Sequence, residues 1–260
     1  MELGILLTAI TRELSTALAN CELTYLSRVK IDTDLAMRQH QEYQAVLSSV
    51  GCELVTLPAE PTMPDSVFVE DTAIVLDEVA VLCRPGVDSR RPEVASVAAV
   101  LKEHRTIASI ESPGTLDGGD LLRVGRVIYA GFSTRSNKCG IDQLRSIVSD
   151  YGYSVKMTEV TKCLHLKSAV SEVAQGTLLI NPDWISSKVL GDFELIEVAK
   201  EEAHAANALL VEQRAIYPST FPQTLNKLVA RGIDVIPVDL SELQKAEGAV
   251  TCCSLIFTAP

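Results

Sequence analysis

The ten residues Leu121-Leu122-Arg123-Val124-Gly125-Arg126-Val127-Ile128-Tyr129-Ala130 hold two short β-prone runs, Leu121–Val124 and Val127–Ala130, close enough to fold back on each other as a hairpin. Three more pairs have the same form: Ala73–Leu76 with Val79–Cys83, Leu166–Val170 with Thr177–Ile180, and Ala208–Val211 with Ala215–Tyr217. A fifth pair is Cys252–Phe257 with Gly4–Thr8, which brings the two chain ends together and closes a ring. Beside the pairs run five aliphatic and β-branched segments, Gly51–Leu57, Arg105–Ile110, Gly152–Met157, Phe193–Val198 and Gly232–Val238, recurring every ~40 to 55 residues.

Helices fill the gaps. Asp34–Leu47 places Leu35, Ala36, Tyr43, Val46 and Leu47 on an apolar stripe, with Asp32 and Thr33 as candidate N-caps. Others are expected over Arg91–Glu103, Gly140–Tyr151, Pro222–Ala230 and Ser241–Ala246. The order strand pair, helix, strand, taken five times, predicts a radial α/β architecture rather than a doubly wound sheet. On periodicity alone, an ordinary mixed α+β domain is an equal alternative. No Pro, Gly or Ser tract reads as a linker, so residues 1–260 are read as one domain.

The chain has 260 residues, 47% hydrophobic and 22% charged, which excludes disorder as its dominant state. Twenty-three Lys and Arg against 34 Asp and Glu leave a net charge of −11, unsuited to nucleic acid or an anionic membrane but attractive to a small cation. The apolar runs Gly4–Ile10 and Ala246–Phe257 are too short for a membrane helix, and Glu2 stands where a signal peptide would be basic, so a cytoplasmic protein is expected. Seven cysteines form no disulfide pattern, C-x-x-C and H-E-x-x-H are absent, and Gly118-Gly119 lacks the frame of a phosphate loop. Neither a metal nor a nucleotide cofactor is expected.

Chemistry-bearing residues gather in five places. Met63–Asp71 holds Asp65, Glu70 and Asp71, suited to a cation-binding mouth, although for this segment taken alone a solvated turn is the commoner reading. Thr115–Asp120 bends at two glycines beside Asp117. Gly131–Asn137 presents Arg135 after a strand, as Ser89-Arg90-Arg91 does in an earlier repeat; such arginines receive carboxylates or simply pair at the surface. His165 starts a strand between two leucines. In Val250–Phe257, strand alternation turns Cys253, Leu255 and Phe257 to the core and makes Cys252 the better candidate to meet a pocket, although taken alone a buried cysteine without activity is the commoner reading.

Together, Pro64–Asp71, Arg84-Pro85-Gly86 with Ser89-Arg90-Arg91, Leu116–Asp120, Leu164–Lys167 and Thr251–Ser254 resemble the dimethylargininase (dimethylarginine dimethylaminohydrolase) family of the guanidine-modifying pentein superfamily, nearly end to end. The resemblance implies a five-bladed α/β propeller of pseudo-fivefold ββαβ repeats with a central site. It also implies cofactor-free hydrolysis of methylated arginines to citrulline and an alkylamine. By position, Cys252 matches the nucleophile, His165 the general acid and base, and Asp117 an acid near that histidine. Asp65, Glu70 and Asp71 match the substrate-binding acids, Arg90 and Arg135 a clamp for the α-carboxylate, and Leu23 and Ala246 backbone contacts to the α-amine. The expected partner is a small cationic amino acid, and a homodimer is compatible with the reading.

The roles also stand on chemistry. A guanidinium carbon is a poor electrophile, and a thiolate is the strongest ordinary protein nucleophile. A free thiol titrates at about 8.5, and a bound cation would itself favour its ionisation. Arginine deiminase would use the same logic but typically carries a helical insertion that this short chain lacks. A non-enzymatic pentein would lack the Cys and His found here.

Overall fold

Leu121–Val124 and Val127–Phe132 do pair antiparallel, with Leu122 opposite Tyr129. In the computed structural model, which describes residues 6–259, that pairing recurs around a five-bladed ring. The strands are β1 (Leu7–Arg12), β2 (Cys52–Leu57), β3 (Ala73–Val75), β4 (Val79–Leu82), β5 (Thr106–Ser109), β6 (Leu121–Val124), β7 (Val127–Phe132), β8 (Ser154–Glu159), β9 (Val170–Ala174), β10 (Thr177–Ile180), β11 (Glu194–Glu197), β12 (Leu209–Val211), β13 (Arg214–Pro218), β14 (Asp234–Val238) and β15 (Leu255–Thr258). Each sheet has three strands, in the orders β15-β1-β2, β3-β4-β5, β6-β7-β8, β9-β10-β11 and β12-β13-β14. In every one the middle strand runs antiparallel to the first and parallel to the third.

The parallel step needs a crossover. Helices α1 (Thr33–Ser49), α2 (Val94–Leu101), α3 (Lys138–Ser149) and α5 (Pro222–Ala230) supply it in four blades; the short α4 (Leu166–Ala169) and α6 (Ser241–Gln244) lie between blades. Asp32 caps α1 by accepting the Leu35 N–H at 3.0 Å, as its position predicts. Gly51, at φ 95°, ends α1 in the left-handed conformation and turns the chain into β2.

The middle strand of each sheet is buried on both faces, which suits continuous apolar runs such as Thr177–Ile180, whereas the third strands expose residues such as Glu53, Thr106, Lys156, Glu194 and Asp234. Successive residues serve opposite neighbours. Leu121 packs toward the second blade with Ile74 and Val81, whereas Leu122 packs toward the fourth with Val170 and Leu178. Likewise Ala9 and Ile10 on β1 join different clusters, one with Val211 and Ile216, the other with Ala73 and Ala80. The core is thus divided among the interfaces between blades.

Four expectations are corrected. The N-terminal strand runs over Leu7–Arg12; the expected start at Gly4 lies outside the described residues. Leu166–Ala169 is a short helix, so His165 precedes a helix and the strand begins only at Val170. The last strand starts at Leu255 rather than Cys252, because residues 250–253 form a turn. The fourth blade crosses without an α-helix, using only a 3-10 turn at Ser187–Val189.

Helix α1 also anchors the 250–254 turn. The buried Tyr43 hydroxyl donates to the Val250 carbonyl at 2.8 Å and lies 2.7 Å from the Ser254 hydroxyl. Tyr43→Phe leaves these groups short of a partner and is expected to cost about 1–3 kcal/mol in urea unfolding. Wild-type stability in that variant would show that the turn is held by other contacts.

Candidate active site

The 3-10 turn Val69–Thr72 delivers Glu70 and Asp71 to the centre of the ring. Asp71 Oδ2 accepts Arg90 Nη1 at 2.6 Å, Oδ1 accepts the Gly119 N–H at 2.9 Å, and His165 Nδ1 lies 3.9 Å away. Burial works against the charged carboxylate, but the charges of His165 and Arg90 outweigh it and hold Asp71 below the usual carboxylate range.

Arg90 is far more committed than its sequence position suggests. Its Nε and Nη2 donate to Glu93, and Nη2 also reaches the carbonyls of Asp65 and Phe68. One N–H of Nη1 is left without an acceptor among the described residues. Arg90 can therefore offer a ligand a single contact, not the bidentate fork expected of a carboxylate clamp. Arg135 is freer, donating from Nη2 to Thr24 Oγ1 at 2.9 Å.

His165 Nε2 lies 3.0 Å from Asp117 Oδ2, and Asp117 Oδ1 accepts the Gly86 N–H at 2.9 Å. Burial would lower the imidazole pKa, but Asp71, the hydrogen bond to Asp117 and the charge of Asp120 overcome it, and it is pushed up to about 9. Cys252 is partly buried in the turn that Tyr43 anchors, and its thiol is pushed well up by burial and by the charges of Glu70 and Asp71. Cys253 is buried in the core beside Tyr43 and Val250. The two cysteines do face differently, though through a turn and not through strand alternation.

Cys252, His165, Asp71, Asp65, Arg90, Arg135 and Ala246 line one cavity of about 20 Å³, together with Phe68, Leu164, Glu22 and Glu247. Three predicted residues stand outside it. Asp117 lies behind His165. Leu23 packs against the apolar cluster of Leu14, Leu18 and Phe68. Glu70 accepts Lys167 Nζ and the Thr251 hydroxyl, and borders a separate axial cavity of about 400 Å³ bounded by β3, β6, β9, β12 and β15.

A lid closes the smaller cavity. The N–H groups of Thr24, Tyr25 and Leu26 donate to the Glu247 carboxylate at 3.0, 2.6 and 2.6 Å, and the Glu22 N–H donates to Asp65 at 3.0 Å. A volume of about 20 Å³ holds roughly one water, so the cavity is shut to anything larger while residues 22–26 keep these bonds. Glu93 could have been suspected from its i,i+3 spacing to Arg90, whereas no local pattern points to Glu22 or Glu247. Asp71, Asp117 and His165 could each offer a donor to one metal ion, but Arg90, Gly119 and Gly86 already engage the two carboxylates.

The sequence model of a family described as N,N dimethylarginine dimethylhydrolase, eukaryotic, matches residues 11–257. An N(G),N(G)-dimethylarginine dimethylaminohydrolase of Streptomyces coelicolor is 37% identical over 257 residues, 95% of each chain. One of Pseudomonas aeruginosa is 36% identical over 230 residues, 88% of this chain and 91% of that protein. The solved structure of a Pseudomonas aeruginosa enzyme of this name, a cysteine-to-serine mutant complexed with citrulline, superposes with a TM-score of 0.93 at 34% identity, covering 97% of this chain and 100% of that one.

The two buried histidines give a direct test. NMR titration is expected to place His165 at about 9 and His40, which burial alone lowers, at about 4. Against an unfolded value of about 6.5, His165 contributes stability that is complete below that value and is lost as pH rises through its folded midpoint. His40 contributes above the unfolded value and loses this as pH falls through its folded midpoint. A His165 midpoint at or below the unfolded value would contradict the electrostatics described.

Proposed function

The chain belongs to the dimethylarginine dimethylaminohydrolase family, and from that premise we propose how its residues hydrolyse asymmetric dimethylarginine and monomethylarginine to L-citrulline and an alkylamine. The observation that carries the proposal is the shared cavity, which gathers Cys252, Asp71, Arg135 and the Asp117-bound His165.

The guanidinium lies against Asp71, with Asp65 adding negative charge nearby. In the resting site burial and the charges of Glu70 and Asp71 keep the thiol protonated. A bound guanidinium offsets those charges and favours the thiolate, the thiol proton passing to solvent because His165 already carries one, so the substrate helps to ionise its own nucleophile. The Cys252 sulfur then bonds to the guanidinium carbon. His165, which carries a proton at neutral pH, gives it to the departing alkylamine as the C–N bond breaks. This leaves an S-alkylthiouronium on Cys252. Neutral His165, oriented by Asp117, removes a proton from water as the water oxygen attacks, and the C–S bond breaks to release citrulline and the thiolate.

The α-carboxylate is assigned chiefly to Arg135, with one contact from Arg90. The α-amine is assigned to backbone carbonyls at Leu23 and Ala246, which requires the lid to move, because Leu23 does not line the closed cavity. Glu70 acts from behind Cys252. Residues 1–260 are read as one catalytic domain, compatible with a homodimer. No helix among the described residues is long and apolar enough to cross a membrane. Seven free cysteines support a reducing, cytoplasmic location.

Citrulline formation from arginine, monomethylarginine and dimethylarginine, assayed side by side, tests the reading, with turnover expected on the methylated forms. Cys252→Ser should abolish it, while Cys253→Ser should retain substantial activity. Equal loss in two folded variants would sink the assignment of the nucleophile.

Agmatine, which lacks the carboxylate, leaves Arg135 donors unpaired. The lost charge-assisted contact costs about 1.5–3 kcal/mol, roughly ten- to a hundredfold in kcat/KM. Arg135→Ala should accordingly harm the amino-acid substrate much more than agmatine, and equal losses would make Arg135 structural.

A further inference from the structure

Asp120 is fully buried, yet its hydrogen bonds come from neutral groups, not from a lysine or arginine. Oδ1 accepts the Leu166 N–H at 2.9 Å, and Oδ2 accepts the hydroxyls of Ser133 and Ser136, each at 2.6 Å. Both serines pass the constraint on. Ser136 Oγ accepts the Asp117 N–H at 3.0 Å, and Ser133 Oγ accepts the N–H of Arg135 at 3.0 Å. Gly131 makes room for the carboxylate, since a Cβ there would lie 2.5 Å from Asp120 Oδ1.

Three residues assigned to catalysis or binding thus hang from one side chain. Leu166 directly follows His165, Ser136 fixes the main chain of Asp117, and Ser133 fixes that of Arg135. One reason for a carboxylate here is that it accepts three donors at two oxygens. A neutral asparagine would occupy nearly the same volume without the large desolvation cost of a buried charge, but would turn an amide toward the two serine hydroxyls. The charge itself is the second reason. What the charge faces is the imidazole. The groups around His165 are Asp71 with its partner Arg90, Asp117 and Asp120 on the turn before β6, and the thiols of Cys163 and Cys252; Lys167, two residues on, is bonded to Glu70.

We propose that Asp120 is a positioning residue for the reaction: its carboxylate sets the main chain on both sides of the His165–Asp117 hydrogen bond from a single point and supports the charged imidazole. The proposal rests on the hydrolase reading above. Burial raises Asp120 to about 6, against the opposing pull of His165 and the two serines, and His165 itself titrates at about 9. Between those values both groups are charged and attract each other.

The test uses Asp120→Asn and Asp120→Ala in the full chain. Asp120→Asn is isosteric and can still accept the Leu166 N–H, but it loses the charge and points an amide donor at the serines. It is expected to lower kcat on monomethylarginine by about tenfold to a hundredfold, more than it raises KM, and to lower the NMR midpoint of His165. Asp120→Ala is expected to speed hydrogen exchange at the Leu166 amide by about tenfold or more, leaving amides of β10 unchanged. If Asp120→Ala does not fold, Asp120→Asn decides alone. A kcat within twofold of wild type, or an unshifted His165 midpoint, in folded Asp120→Asn overturns the proposal, as does unchanged Leu166 exchange in folded Asp120→Ala. If the wild type forms no citrulline, the hydrolase reading fails, and the titration and exchange measurements still judge Asp120.

Discussion

The buried pair of Asp71 and Arg90 links more of the site than any other contact. Asp71 reaches across to the Gly119 amide and stands beside His165, while Arg90 runs back to Glu93 and to the carbonyls of Asp65 and Phe68. Removing either partner would leave a charge in a place that water does not reach, with a penalty several times that of a surface ion pair. Asp71 is therefore held ionised by His165 and Arg90 together, and the rest of the Arg90 donors go to Glu93 and the two carbonyls. This division explains why two arginines that look alike in sequence are not equivalent: Arg90 belongs mainly to the floor of the site, whereas Arg135 lines the cavity with its guanidinium bonded only to Thr24 among the described residues, which is why the ligand carboxylate is assigned chiefly to it.

Around that pair the site is closed by contacts that substrate must replace. Asp65 and Arg135, both assigned to the ligand, are bonded to Glu22 and Thr24 of the lid. Glu247, by contrast, holds three consecutive lid amides and is assigned to no ligand atom. Opening thus exchanges lid contacts for ligand contacts at two points and strains a separate latch at a third. Because a charged side chain exchanges a neutral lid partner for a ligand group at those two points, the net cost of admitting a ligand is smaller than the number of bonds broken implies.

Much of the fold is legible because its information is local. A hairpin signal, an amphipathic helix such as α1 and an apolar third strand are each readable within a short window, and a five-times repeated window reports the ring. The failures occur where windows are too short or partners too distant. Four helical residues after His165 have no period to detect, and the Asp120 carboxylate that receives the Leu166 amide lies 46 positions away. In the fourth blade the 3-10 turn at Ser187–Val189 does a helix's work without a helix's pattern. For the site, the acids, His165 and Cys252 could be singled out by residue type and resemblance. That Arg90 is nearly saturated, and that Leu23 faces the core while the lid is shut, are properties of three-dimensional packing that no spacing encodes.

The pairing of β15 with β1 has a bearing on how the molecule is made. Synthesis delivers β1 first, and until residues 252–258 are added, β1 is bonded to β2 alone and presents an open edge. A nascent chain that has reached only the fourth blade already holds Asp65, Asp71, Arg90, Asp117, Arg135 and His165. It carries neither Cys252 nor the strand that closes the ring. The step that seals the sheet edge against misassembly is thus also the step that adds Cys252, so a chain that stops short of it has both an open edge and no thiol at the position to which the hydrolase reading assigns attack.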